Sequence, residues 1–257
     1  MTDTTGEAAT MTYQESPEDV ARALRHALAG DDLPDSFTLL GREWSLHRGV
    51  FPSTLSAATE VLASIVPYPA GGSFLEVGCG TGVIAVTAAL SGCASVTALD
   101  INEAAVANTA ANAARHGVSD RVRVLHSDMY TALEPAEPNG SAGSAGSAEP
   151  NGSAERFDTI FWNVPWTYVE DGFPLSTDLH SAVFDPGYRG QARYISGAHA
   201  HLADGGRLLL GTADLGDRER LDALAGEAGL RIELLHSVRR IEEVRVMEYQ
   251  MLELHPK

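Results

Sequence analysis

Asn163-Val164-Pro165-Trp166 closes the apolar run Phe161-Trp162 and carries residue types suited to holding a flat nitrogen. An amide or aromatic amine is a poor nucleophile because its lone pair is delocalised. The side-chain oxygen of Asn163 and the following carbonyl, that of Val164, can accept its two N–H groups and aim the lone pair at an electrophile. Pro165 stiffens the turn, and Trp166 offers a stacking face. A second stretch, Phe74-Leu75-Glu76-Val77-Gly78-Cys79-Gly80-Thr81-Gly82, ends an apolar run in an acid and then sets glycines at every second position. Such glycines let a ligand approach the backbone closely. The spacing is neither the Gly-x-Gly-x-x-Gly of dinucleotide sites nor a phosphate loop ending in Gly-Lys-Ser/Thr. Asp100, 22 residues past Gly78, closes another apolar run. An acid there can accept both hydroxyls of a ribose, or serve as a turn or cap acid.

The elements that must position these residues alternate from Ser73 onward, strand then helix, the pattern of a parallel, doubly wound sheet. Strands are expected over 73–77, 95–99, 122–126, 157–162 and 207–211, with two more over 231–236 and 244–254. Helices are expected after Gly82 and over 103–116, 188–202 and 217–228. Ahead of the sheet, residues 1–16 read as a polar tail. Residues 17–55 read as a small lid-like element: a helix ended by Gly30, then a hairpin with Gly41-Arg42 as a type II′ loop. That element can cover the site or pack on the sheet edge. An amphipathic helix over 53–66 leads into the α/β domain, 56–257. Within it, 135–155 repeats Ala-Glu-Pro-Asn-Gly-Ser-Ala, a composition that buries no apolar surface and reads as a disordered insert.

The glycine loop with Glu76 two residues ahead of Gly78 resembles motif I of the class I S-adenosylmethionine (SAM)-dependent methyltransferases. Asn163-Val164-Pro165-Trp166 resembles the Asn-Pro-Pro-Tyr motif of the enzymes that methylate planar nitrogen. Together with Gly41-Arg42-Glu43-Trp44, Gly49-Val50-Phe51-Pro52 and Asp204-Gly205-Gly206-Arg207, they resemble the protein-(glutamine-N5) methyltransferases over about 41–257. The resemblance implies an α/β fold with a seven-stranded Rossmann-like sheet and SAM as cofactor. It implies that Glu76, Gly78, Gly80, Asp100 and Asp128 hold the cofactor, and that Asn163, Pro165 and Trp166 bind the target. Ile101 would then pack on the adenine, with Met129 covering its other face; Asp128 can equally be a turn acid. Val164 and Trp166 replace the family's first Pro and its Tyr, Pro52-Ser53 lacks its Arg-Pro step, and the N-terminal substrate domain is reduced. These departures keep the class and leave the release-factor substrate in doubt.

Composition sets the outer bounds. With 257 residues, 44% apolar, there is material for one α/β core, and no apolar run is long enough for a membrane span. The polar N-terminus carries no secretory pattern, and two cysteines make neither a disulfide framework nor a metal site, so a cytoplasmic protein is expected. Cys79 reads as a small apolar filler. A formal charge of −17 argues against nucleic acid as partner. The expected acceptor is a small molecule or a peptide side chain, in specialised metabolism; oligomeric state is open. Two other readings use the same cofactor. In one, Asn163 and an aromatic (Tyr168, Tyr188 or Trp44) hold the α-amine of SAM so that it attacks its own Cγ, giving azetidine-2-carboxylate and methylthioadenosine. In the other, the protein binds SAM without catalysis.

Overall fold

The computed structural model describes residues 34–134, 154–175, 178–242 and 245–257. The expected polar tail, the first helix and residues 135–153 of the insert lie outside the described residues.

The chain enters through the hairpin β1 (Ser36–Leu39) and β2 (Arg42–Ser45). Leu39 pairs with Arg42, so the loop is Leu40-Gly41, not Gly41-Arg42. Both loop residues have positive φ (52° and 68°), the type I′ signature. The register sets Phe37 opposite Trp44, both buried, and the Trp44 Nε1–H donates to the Leu39 carbonyl at 2.9 Å. That pairing outweighs a left-handed Leu40, which costs about 1–2 kcal/mol.

Helix α1 (Ala58–Ile65) is shorter than the 53–66 pattern, because 53–57 is used in turns. Then follow β3 (Ser73–Val77), α2 (Val83–Leu90), β4 (Ser95–Asp100), α3 (Glu103–Arg115), β5 (Val122–His126) and β6 (Phe157–Asn163). The sequence pattern did not show β7 (Thr167–Val169), which pairs in parallel with β8 (Phe184–Pro186). Both strands are too short to carry a periodicity. Helix α4 (Arg189–Gly197) ends earlier than expected, and β9 (Leu202–Ala213) starts earlier. Residues 203–206 bulge out between the pairs Phe157↔Leu202 and Thr159↔Arg207, and the expected Gly-Gly connection is that bulge. Helix α5 (Arg218–Glu227) and the antiparallel pair β10 (Leu230–Glu242) and β11 (Arg245–Pro256) complete the chain.

Seven strands form one sheet in the order β10-β11-β9-β6-β3-β4-β5, parallel from β9 to β5. The chain runs outward from β3 to β5 and then returns to β6 on the other side of β3. The crevice at such a reversal is where doubly wound sheets bind ligands. Period-two alternation divides each strand between two cores. Phe74, Phe161 and Leu209 pack with α1, α2 and α3, whereas Leu75, Ile160, Trp162 and Leu210 pack with α4 and α5.

Two fully buried asparagines of α3 clamp the hairpin to this frame. Asn112 Oδ1 accepts the Ser45 N–H at 2.7 Å, and its Nδ2 donates to the carbonyls of Ser45 and Thr81 at 3.0 and 2.8 Å. Asn108 Oδ1 accepts the His47 N–H at 2.8 Å, and its Nδ2 donates to the Ser45 carbonyl at 2.8 Å. The hairpin is thereby fixed against α3 and, through Thr81, against the glycine loop. Asn112→Leu takes this partner from the Ser45 N–H and the Thr81 carbonyl, while Asn108 still holds the Ser45 carbonyl. It should destabilise the fold by about 2–4 kcal/mol in urea denaturation, with an unchanged m-value.

Candidate functional site

Burial on both faces drives β3 straight through the core, so Glu76 is carried inside with it. Burial pushes its carboxyl well above the usual carboxylate range; the N–H of Ala85 opposes this, and the nearby charge of Asp100 adds to it. Its Oε2 is buried with no hydrogen-bond partner among the described residues. An orphaned acid oxygen beneath a glycine loop is a place for a cation with N–H donors.

Two glycines above it differ in what they require. At Gly78 (φ +66°) a Cβ would lie 2.7 Å from the indole Nε1 of Trp162, so loop and β6 touch there. At Gly80 (φ +54°) a Cβ would meet nothing within 4 Å, so only the left-handed backbone calls for glycine and the space above is open. The Gly80 N–H points at β4, where Asp100 Oδ2 accepts it at 2.8 Å, and Asp100 Oδ1 accepts the Asn102 N–H at 2.9 Å. Burial raises the Asp100 carboxyl pKa despite these donors. Each of its oxygens keeps acceptor capacity beyond these bonds. Beside it Ile101 is 57% exposed, an apolar side chain held out over the crevice.

Asp128, past β5, is gripped by Arg193 of α4 in a fork, at 2.9 and 3.0 Å. Its oxygens are therefore shared, not free, a constraint that sequence reading missed. Met129 takes φ +54°, with its carbonyl accepting the Ser127 hydroxyl at 2.7 Å. Cys79 is buried and receives the Thr109 hydroxyl at 3.2 Å.

On the other side of β3, Asn163 ends β6 opposite Gly211, and its Oδ1 is buried without a partner. The turn after it is braced from behind. The Val164 N–H donates to the Gly211 carbonyl at 3.0 Å. Gln191 Nε2 donates to the Pro165 carbonyl at 3.1 Å, and the Tyr188 hydroxyl donates to the Trp166 carbonyl at 2.7 Å. The Asp185 carboxylate accepts the N–H groups of Gly190 and Gln191, at 2.8 and 2.9 Å, and so anchors the start of α4. The Trp166 ring is half-buried, edge-on to Tyr249 with centroids 6.1 Å apart. Trp162, Asp185, Gln191 and Arg193 were not singled out from sequence. Only Trp162, adjacent to Asn163 in a strand, carried a signal that could have found it. Of the aromatics considered for holding the α-amine of SAM, Trp44 is fully buried and Tyr188 is tied at both ends by its hydroxyl, leaving Tyr168 half-exposed.

A seven-stranded sheet in this order, with a glycine loop after its first parallel strand and acids at the ends of the first two, defines the class I methyltransferase fold. The family model described as "Methyltransferase small domain" matches residues 43–139. The release factor glutamine methyltransferase of Cereibacter sphaeroides is 35% identical over 147 residues, 53% of this chain and 45% of that protein. The ribosomal protein L11 methyltransferase of Desulforamulus reducens is 38% identical over 81 residues, 32% of this chain and 26% of that protein. The matches span less than half the length of these curated relatives. Among solved structures, the Thermus thermophilus 16S rRNA N2 G1207 methyltransferase, in complex with AdoMet and guanosine, superposes with a TM-score of 0.53 at 21% identity, covering 86% of this chain and 50% of that one. The ribosomal protein L11 methylase of Lactobacillus delbrueckii subsp. bulgaricus gives a TM-score of 0.51 at 15% identity, covering 81% of each chain. The chain has the class I methyltransferase fold of these solved structures, and residues 43–139 match the methyltransferase small domain family.

The exclusion of nucleic acid drawn from the charge of −17 does not stand. The same fold carries an rRNA methyltransferase solved with guanosine. Net charge sums over the whole surface, whereas entry of one base is decided by the local field and the stacking faces at the mouth of the site. No helix among the described residues is long and apolar enough to cross a membrane.

The buried acid gives a pH-dependent prediction. An acid whose folded pKa is raised stabilises the fold below its unfolded value, 4.5 for Glu76, and loses that contribution as pH rises through the folded value. Removing the Glu76 charge also removes its repulsion of Asp100, which acts in the same direction. Relative to the parent, Glu76→Gln should therefore gain thermal stability as pH rises above about 5 without SAM. At neutral pH its SAM affinity should fall by about tenfold or more in calorimetric titration.

Proposed function

We propose that the chain transfers the methyl group of SAM to a planar nitrogen. The observation that carries this is the buried Asn163 Oδ1 at the end of β6, without a partner among the described residues, in a turn whose Val164 N–H and Pro165 and Trp166 carbonyls are held by Gly211, Gln191 and Tyr188. Bound SAM supplies a methyl carbon made electrophilic by its sulfonium. The remaining work falls to this chain. Glu76 takes the ammonium of the methionine part, and Gly80 lets that part pass, while Gly78 makes room for the Trp162 indole. Asp100 accepts the ribose hydroxyls, Ile101 and Met129 flank the adenine, and Asp128 faces its amino group while shared with Arg193. Asn163 Oδ1 and the Val164 carbonyl accept the acceptor's N–H groups, so that its lone pair points along the S–CH₃ axis. Pro165 and the braces from Gln191 and Tyr188 hold that geometry, and Trp166 stacks on the flat acceptor.

The acceptor class this reading favours is a side-chain amide of a protein, because the two relatives matched in sequence are named protein methyltransferases and one is a glutamine enzyme. A nucleobase presents the same planar N–H group, and a small molecule carrying one would fit the same contacts.

The test is incubation with radiolabelled SAM, alone and with a release factor, ribosomal protein L11, rRNA fragments and small primary amides. S-adenosylhomocysteine should form only when an acceptor is present. Methylthioadenosine from SAM alone would replace this reading with the cyclase. Binding without turnover across the whole panel would replace it with a SAM-binding protein. Asp100→Ala should weaken SAM binding by about tenfold or more, whereas Asn163→Ala should leave it within about twofold and lower turnover by about 10²-fold or more.

A further inference from the structure

Behind the Asn163–Trp166 turn, on the α4–α5 face of the sheet, lies a cavity of about 190 Å³ that the assigned cofactor and acceptor contacts do not use. Its walls are the end of β9, the starts of α4 and α5, and Gln250 of β11. At about 30 Å³ per water it has room for about six waters, or for a small organic ion.

Three features specify what it takes. Thr212 is only 6% exposed, yet its hydroxyl lines the cavity with no hydrogen-bond partner among the described residues. The absence of a side chain at Gly216 keeps this space open: a Cβ there would come within 3.3 Å of the Tyr188 hydroxyl and 3.4 Å of Thr212 Oγ1. Secondly, the lining is acidic. Asp214 and Asp217 both face the space, and the lining cation, Arg218, is drawn aside by Asp222 at 3.0 Å. An anion would meet two carboxylates, and an apolar group would leave Thr212 unsatisfied. Thirdly, Tyr188 and Gln191 line the cavity and also hold the Trp166 and Pro165 carbonyls, so an occupant touches the braces of the turn.

We propose that this cavity is a subsite for a cationic hydrogen-bond donor, a primary ammonium or guanidinium group, carried by the acceptor. Its N–H groups would donate to Thr212 Oγ, to the Asp217 oxygen left over from capping Arg220, and to Asp214. The acceptor role rests on the methyl-transfer reading; the binding of the cation does not.

The experiment is a methyl ¹H–¹³C NMR titration of the full chain, saturated with S-adenosylhomocysteine. The probes are methylguanidinium chloride and propylammonium chloride, with propanol, sodium acetate and potassium chloride as controls. Saturable shifts at the methyls of Thr212, Ala213 and Leu221 are expected with the cations only, at a Kd of order millimolar. The stronger of the two probes identifies the group. Thr212→Val and Asp217→Asn should each weaken binding by about tenfold while S-adenosylhomocysteine affinity and circular dichroism stay as in the parent. No saturation by about 100 mM, or an equal response to propanol or acetate, overturns the site whether or not the chain methylates anything. If the cations bind but Thr212→Val leaves KM unchanged for an acceptor found in the preceding assay, the acceptor role is overturned. If the chain methylates nothing, that role falls with the reading it rests on, while the titration still decides the site.

Discussion

The hydrogen bond from the Gly80 N–H to Asp100, 2.8 Å long, is the constraint on which the crevice depends. It ties the loop after β3 to the end of β4, and the Cys79 N–H repeats the tie one residue earlier by donating to the Leu99 carbonyl at 3.0 Å. With the loop pinned sideways, Gly82 can turn left-handed and start α2 directly over the sheet. The arrangement sets two carboxylates, Glu76 and Asp100, in one poorly solvated space, and burial drives both toward the neutral form. The backbone donors near Asp100 relieve one acid; nothing among the described residues relieves Oε2 of the other. A ligand offering an ammonium at one end and hydroxyls at the other removes both penalties together, and SAM has that layout. On the proposed assignment the chain stores an electrostatic cost that its cofactor would cancel.

The same compactness couples the glycine loop to β6. Trp162 lies against Gly78 on one side and Tyr194 of α4 on the other, its ring 5.4 Å from the tyrosine centroid. Its neighbour Asn163 faces the opposite way because side chains alternate along β6. One residue of β6 therefore shapes the glycine loop while the next ends the strand with a buried, orphaned amide oxygen. Substitution at Gly78 would act on both, since any Cβ there displaces the indole that packs β6 against α4.

Sequence alone made the sheet and the crevice legible. The glycine spacing, the acid closing β4 and the apolar runs of β3 to β6 are local features, each encoded within a few consecutive residues. What stayed illegible acts at a distance. Gln191 and Tyr188 reach back 26 and 22 residues to the Pro165 and Trp166 carbonyls, and no periodicity marks a side chain for that task. Asp128 read as open, but Arg193, 65 residues on, claims it. The hairpin loop was misplaced by one residue because a Gly-first rule weighs only the turn. The register is decided across the strands, by Phe37 against Trp44. Charge misled in the opposite sense: a sum of −17 over the chain holds no information about one crevice.

Tyr188 is the residue where these strands of reasoning meet. It is held at φ 55°, a conformation a bulky side chain adopts only under compulsion. Its hydroxyl donates to Trp166 and accepts the Asp217 N–H at 2.8 Å, while its ring stands edge-on to Tyr168 with centroids 5.2 Å apart. A relaxed backbone at 188 would swing the ring and break both bonds, freeing the turn that carries Asn163. Burial also raises the phenol to about 12, so the proton needed for the bond to Trp166 stays in place at any physiological pH. Strain at one residue is the cost of joining β6, α4 and α5 at a single point, and that point fixes the Asn163 turn.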